Sequence, residues 1–307
     1  MAKKLGLALS SGAARGWAHV GVLRALKEYG LEPDVITGCS VGALIGGAHL
    51  LGVLDELESW ARSLQPLSAL EQFSFKVRRG GLIDTAPAFA AFREYDRNIE
   101  DLPVKFAAVA TDLAVGEAVV LQTGSVIDAV QASSAIPVVF HAVRQDHRWL
   151  VDGALSNPAP AALARELGAD IVISVDLNSV PKALDRFAER PGLPAVIEPG
   201  LPASPGVTGA VAKLIDDTQR AIKQQFDRAK ARADASPHLF ETAFATADIF
   251  QMQLARMQTL IDKPDIILRP NMRDALPTAF DRADEFIEEG RSAMVAAVPR
   301  VKELLAQ

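Results

Sequence analysis

A short β-branched run, Val35-Ile36-Thr37, is joined by three residues to an apolar run rich in alanine and glycine at 41–51. This junction limits the folds open to the chain. The first run reads as the end of a buried strand and the second as a helix. Gly38-Cys39-Ser40-Val41-Gly42 connects them in the pattern Gly-x-Ser-x-Gly, with Ser40 on a sharp strand-to-helix turn. Such a turn lifts a serine clear of the sheet, commonly with backbone strain. Gly38 and Gly42 carry no Cβ, so strand and helix can close on each other. The helix beginning at Val41 aims free N–H groups and a partial positive charge at the hydroxyl, which favours an anion formed there. Two glycines around a serine also suit a plain turn, so Ser40 requires partners elsewhere in the chain to count as a nucleophile.

The chain of 307 residues has room for one large α/β domain or two modest ones, and 49% hydrophobic content supplies an ample core. A net charge of −6 and the lack of a Lys/Arg run argue against a nucleic-acid partner. With Cys39 as the single cysteine, an intrachain disulfide and a cysteine metal cluster are excluded, which fits a reducing cytoplasm. Lys3 and Lys4 before Leu5-Gly6-Leu7-Ala8-Leu9 imitate a signal peptide. The apolar run is too short for that role and reads as the first strand. No apolar stretch reaches the ~18 residues of a membrane span, which predicts a soluble chain with room for contact at a membrane surface.

After the first strand, Ser10-Ser11-Gly12-Ala13-Ala14-Arg15-Gly16 forms a loop of small residues. Val22, Leu23, Leu26 and Tyr29 then mark a helical stripe ending at Gly30, which completes a βαβ unit with the strand at 35–37. Open backbone N–H groups in such a loop suit a negative charge. The candidates are an oxyanion beside Ser40, a nucleotide phosphate, or no charge at all in a plain tight strand-to-helix connection. For a phosphate the loop lacks both Gly-x-Gly-x-x-Gly and the Lys-Ser/Thr ending of a phosphate loop, and pairing with Ser40 favours the oxyanion. Further helices are expected at 51–64, 86–93, 126–133 and 159–168, and strands at 104–110, 118–121, 149–151 and 171–175. Residues 65–81 read as irregular, with a basic patch (Lys76, Arg78, Arg79) near Phe73 and Phe75. Six prolines within 181–205 make that region a long loop, lid or linker. An amphipathic helix over 207–226, a helix at 243–260, a late strand at 265–268 and closing helices over 280–305 complete the chain. The alternation predicts an α/β fold with a mostly parallel central sheet and helices on both faces.

Asp152 follows Trp149-Leu150-Val151 and precedes Gly153, either as a carboxylate at the ligand-binding edge of the sheet or as an ordinary turn aspartate. Of the five histidines, His238 completes the formal order Ser40–Asp152–His238 of an α/β-hydrolase triad. It lies between helices with no strand before it, and Ser40 follows only two strands, early for that fold.

The elements GLALSSGAARGWAHVGVLRAL, GCSVGAL and VDGALSNPAP resemble the patatin-like phospholipase family in its short bacterial form. Further similarity lies in Ala110-Thr111-Asp112-Leu113, in Ser133-Ser134-Ala135-Ile136-Pro137 and in the run from Pro264 to Pro270. The resemblance implies a three-layer patatin-like domain over 1–307 with a Pro-rich insertion at about 180–206. It implies a lipid or phospholipid ester hydrolase without a cofactor, working through a Ser–Asp dyad in which Ser40 is the nucleophile and Asp152 the base. Gly12, Ala13, Ala14 and Arg15 then form the oxyanion loop, with Val41 beside them. The expected setting is cytoplasmic, with peripheral membrane contact open and the oligomeric state undefined. Ser10, Ser11 and Ala13 stand where the family commonly has glycines, which keeps backbone donors but alters the loop. A weakly active or inactive relative that binds a lipid or partner is the alternative reading. An aspartate near its ordinary pKa is a poor base, so the dyad further requires a closed, partly apolar site.

Overall fold

The computed structural model describes residues 3–63, 75–78, 81–83, 89–90, 92–137, 140–178, 239–272, 275, 277 and 279–307. The Pro-rich stretch at 180–206, the amphipathic face at 207–226, His238 and the side chains of the basic patch fall outside the described residues. The chain divides into two compact units, Met1–Asp185 with Ala247–Gln307, and Arg186–Thr246. Of the second unit only residues 239–246 are described, and they are helical.

The first unit is built on strands β1 (Leu5–Leu9), β2 (Val35–Cys39), β5 (Lys105–Asp112), β6 (Ala118–Leu121), β7 (Val143–Gln145), β8 (Arg148–Asp152), β9 (Ile171–Val175) and β10 (Ile266–Leu268). Among the described residues they form one eight-stranded sheet in the order β10-β9-β1-β2-β5-β8-β7, with β6 also on β5. From β10 to β5 all pairings are parallel, and β6, β7 and β8 join antiparallel. The expected mostly parallel sheet is present. A separate hairpin pairs β3 (Phe75–Arg78) with β4 (Gly81–Ile83), so part of the region read as irregular is ordered.

Alternate residues of the central strands enter different layers, as a pleated strand with both faces covered requires. Leu5, Leu7, Leu9, Ile36, Phe106, Ile171 and Ile173 point into the larger core. Helices α1 (Trp17–Glu28), α2 (Val41–Leu51), α3 (Leu54–Ser63), α4 (Val126–Ser133) and α7 (Ala283–Ala306) contribute to that core. The opposite face carries small residues, Ala8, Val35, Ala107 and Val172, against the short helix α5 (Ala161–Glu166). Helix α6 (Leu239–Asp262) precedes β10, and its Asp262 carboxylate accepts from the Ala162 N–H at 3.1 Å.

The first and last helices meet most closely. A Cβ at Gly21 of α1 would lie 1.8 Å from the Ile287 carbonyl oxygen, and one at Gly290 of α7 would lie 1.9 Å from that of Ala18. Reciprocal glycines therefore let two backbones touch. The helix read over 51–64 is interrupted at Gly52, whose φ of 78° caps α2 before α3 begins.

Candidate active site

The parallel strands end along one edge, and the loop after β1 and the turn after β2 lie side by side there. Leu9 pairs with Gly38, so Ser10 and Ser11 continue beside Cys39 and Ser40. Ser40 has φ 55° and ψ −123°, a left-handed conformation for a residue with a side chain. Such backbone costs of order 1–3 kcal/mol and persists only where the surroundings impose it. Here they do. A Cβ on Gly42 would stand 2.2 Å from the Leu9 carbonyl oxygen, so only glycine lets α2 start this close to β1. The Ser40 N–H donates to Ser133 Oγ at 2.9 Å, and that hydroxyl donates to the Val109 carbonyl at 2.6 Å. Ser133 thus ties the elbow to β5.

Asp152 reaches Ser40 by a route the sequence does not show. The sequence allows either the carboxyl end of a strand at the ligand edge or an ordinary turn aspartate; Asp152 does end a strand, but β8 runs antiparallel to β5. Because β8 begins beyond that edge, its last residue pairs with Ala110, one residue past the Cys39–Val109 pairing. Ser40 and Asp152 are therefore level. The Ser40 hydroxyl donates to Asp152 Oδ2 at 2.6 Å, and Asp152 Oδ1 accepts from the Ala154 N–H at 2.8 Å. The Asp152 N–H donates to the Ala135 carbonyl, and its own carbonyl accepts from Thr111 Oγ1, both at 2.9 Å. Asp152 is 4% exposed, and burial pushes its carboxyl from the ordinary 3.8 up to about 6 against the opposing pull of the Ser40 and Ala154 hydrogen bonds.

The small-residue loop is held from several sides. The Ser10 N–H donates to the Val175 carbonyl and the Ser11 N–H to that of Pro158. The Ala14 N–H donates to the Pro277 carbonyl, and that of Arg15 to Gly12. Among the described residues, the N–H groups of Gly12, Ala13 and Val41 make no hydrogen bond. Ala13 is also left-handed, with φ 50°. Arg15 points inward at 1% exposure: Nε donates to the Gly12 carbonyl at 3.2 Å, and a terminal nitrogen donates to Asp248 of α6 at 2.6 Å. Ser11 Oγ donates to Gln251 Oε1 at 3.0 Å, a second tie to that helix.

His19 lies fully buried beneath the loop with Nε2 2.8 Å from the Ser10 carbonyl oxygen, so Nε2 carries the hydrogen. Burial holds its imidazole down at about 4. Among the described residues no histidine hydrogen-bonds Ser40 or Asp152. His147 sits in the turn between β7 and β8 with φ 66°. Sequence reasoning assigned no role to His19, Ser133, Thr111 or Asp248. Ser133 and Thr111 stood within quoted motifs, whereas no local pattern marks Asp248 as the partner of Arg15.

The family model for patatin-like phospholipase matches residues 7–165, which hold every element described around Ser40 and Asp152 except Pro277, Val175 and α6. An uncharacterized NTE family protein of Mycobacterium bovis is 39% identical over 188 residues, covering 61% of this chain and 52% of the relative. Another from Mycobacterium tuberculosis is 29% identical over 309 residues, covering 99% of this chain and 48% of its own length. A protein named lysophospholipase NTE1 from Cryptococcus neoformans is 30% identical over 194 residues, 58% of this chain and 11% of that one. The chain spans about half the length of the mycobacterial relatives it matches. With the elbow, the loop and the Asp-Gly-Ala turn all inside the matched region, the chain belongs to the patatin-like phospholipase family.

Proposed function

We propose that the protein is a serine acyl hydrolase that cleaves carboxylic esters of lipids through an acyl-Ser40 intermediate. The observation that carries this reading is the 2.6 Å hydrogen bond from Ser40 Oγ to a buried Asp152 at a left-handed elbow. A serine hydroxyl becomes a competent nucleophile when a base takes its proton during attack. Asp152, raised to about 6, is ionised at neutral pH yet basic enough to serve. As Ser40 Oγ bonds to the ester carbon, its proton passes to Asp152 and the carbonyl oxygen becomes an oxyanion. The unengaged N–H groups of Gly12, Ala13 and Val41 are the donors we assign to that oxyanion, while Ala14 and Arg15 hold the loop in shape. Collapse expels the alcohol, which takes the proton from Asp152. Water then repeats the sequence on the acyl-serine. Losing one oxyanion donor of this kind raises the barrier by about 2.7–4 kcal/mol. The family, and the relative named a lysophospholipase, support lipid esters as the substrate class.

Labelling with a fluorophosphonate and mapping the adduct tests the assignment. Ser40 should carry the phosphonyl group, and Ser40→Ala should abolish both labelling and ester hydrolysis in a folded protein. Asp152→Asn should lose at least roughly two orders of magnitude, and His238→Ala should keep most of the activity. The reverse order would replace the dyad with a Ser–Asp–His triad.

A further inference from the structure

We propose that Ser10 and Gln251 are positioning residues that aim the Gly12 N–H at the oxyanion, the first through its hydroxyl and the second through Ser11. The proposal rests on Ser40 being the acylated residue and on Gly12 supplying an oxyanion donor. A trans peptide is planar, with its carbonyl and its N–H pointing in opposite directions, so whatever fixes one aims the other. The Gly12 N–H shares its plane with the Ser11 carbonyl. That carbonyl accepts from Ser10 Oγ at 3.0 Å, and the same hydroxyl oxygen accepts from the Leu177 N–H at 3.0 Å. Ser10 is itself fully buried and held on both sides: its N–H donates to the Val175 carbonyl, and its own carbonyl accepts from His19 Nε2. Its hydroxyl is therefore a fixed post against which the Ser11–Gly12 plane is set.

Ser11 holds the near end of the same plane. Its N–H donates to the Pro158 carbonyl at 2.9 Å and its Oγ to Gln251 Oε1 at 3.0 Å, so its N–H, carbonyl and hydroxyl are all engaged. A glycine at this position keeps the backbone contacts and loses the tie to α6. The next plane is built alike: the Gly12 carbonyl accepts from Arg15 Nε at 3.2 Å, which sets the direction of the Ala13 N–H. Packing agrees with the hydrogen bonds. A Cβ on Gly12 would stand 3.1 Å from Leu177 Cβ, so the residue whose N–H meets Ser10 also closes on Gly12. Ala13 follows with φ 50°, a backbone that persists only where its surroundings impose it. Two successive donors thus stay unengaged because side chains hold the carbonyls behind them.

The experiment measures kcat and KM for p-nitrophenyl butyrate, with kcat taken per site titrated by a fluorophosphonate. The same donors serve acylation and deacylation, so a misaimed Gly12 N–H slows both steps and leaves KM near its wild-type value. Outright loss of an oxyanion donor costs ~10²–10³ in kcat, so Ser10→Ala should lower kcat about ten-fold or more. Gln251→Met keeps the length of the side chain and removes the acceptor, and should lower kcat about five-fold. Joined in one protein, the two should cost less than the product of their separate effects, because both act on one peptide plane. A purely structural role lowers the melting temperature and the titratable fraction but leaves kcat per titrated site unchanged. That result, or a loss carried by KM, overturns the proposal. Should Ser10→Ala fail to fold, Gln251→Met decides by the same readout, since residue 251 is half-buried on α6 and outside the loop. A wild-type protein that takes up no phosphonate removes the hydrolase reading and this role with it, and the wild type alone reveals that case.

Discussion

Ser133 shows how much of the site depends on side chains that never meet the substrate. Its hydroxyl fills the space between the Ser40 N–H and the Val109 carbonyl, both deep in the protein. Ser133→Ala leaves a donor and an acceptor buried without partners, at about 1–3 kcal/mol. Urea denaturation should show that loss, and phosphonate labelling of Ser40 should slow because its left-handed backbone is no longer held; Ser133→Thr should restore much of both. Asp152 supports a second prediction at this scale. With its carboxyl near 6, kcat/KM should fall as pH drops through about 6, since only the ionised form accepts the Ser40 proton. A pH profile with an acid limb below 5 would contradict this. Ser40 and Asp152 were legible in the sequence because each sits inside a short motif with its own turn chemistry. The roles of Ser133 and His19 were not, because each is defined by a partner that only folding brings near.

Among elements, the boundaries of β1, α2, β6 and α4 were readable to the residue: β-branched or apolar runs meet glycine, serine or a charged or amide side chain at their ends. Strand β7 was missed, since Val143-Arg144-Gln145 is only three residues long, lies on the edge of the sheet and is polar at two of its three positions. The antiparallel course of β8 was equally hidden, because direction is set by pairing and not by local pattern. Helix α6 bears on the site through the Arg15–Asp248 pair, both members nearly inaccessible. Arg15→Met should cost about 3–5 kcal/mol by leaving a buried carboxylate alone, and adding Asp248→Leu should recover most of it. Activity should stay low in the double variant, because the Gly12 carbonyl has lost the guanidinium that fixes it. Thermal melts and kcat/KM measured on the three proteins check both halves of the prediction.

For the whole molecule, His19 and Asp152 make opposite contributions to stability over nearly the same pH range. The imidazole, 6.5 when unfolded and about 4 when folded, takes up protons more readily in the unfolded chain. Its contribution is full above 6.5 and is lost as pH falls through 4. The carboxyl, 3.8 unfolded and about 6 folded, contributes fully below 3.8 and loses that contribution as pH rises through 6. His19→Gln keeps an N–H donor for Ser10 and removes the first term. On acidification from pH 6.5 to about 4 the wild type should therefore lose stability faster than this variant, as chemical denaturation at stepped pH would reveal. The topology has a further consequence, for the order of synthesis. Strand β1 lies between β2 and β9, and α1 rests backbone to backbone on α7, so segments made early are covered by segments made much later. The emerging chain must carry Leu5–Leu9 without its second neighbour until β9 is made, and the Gly21 face of α1 uncovered until residues beyond 283 are out, a long exposure for apolar surface. A stop placed before α7 would therefore damage α1, about 260 residues upstream, as surely as it removes α7 itself.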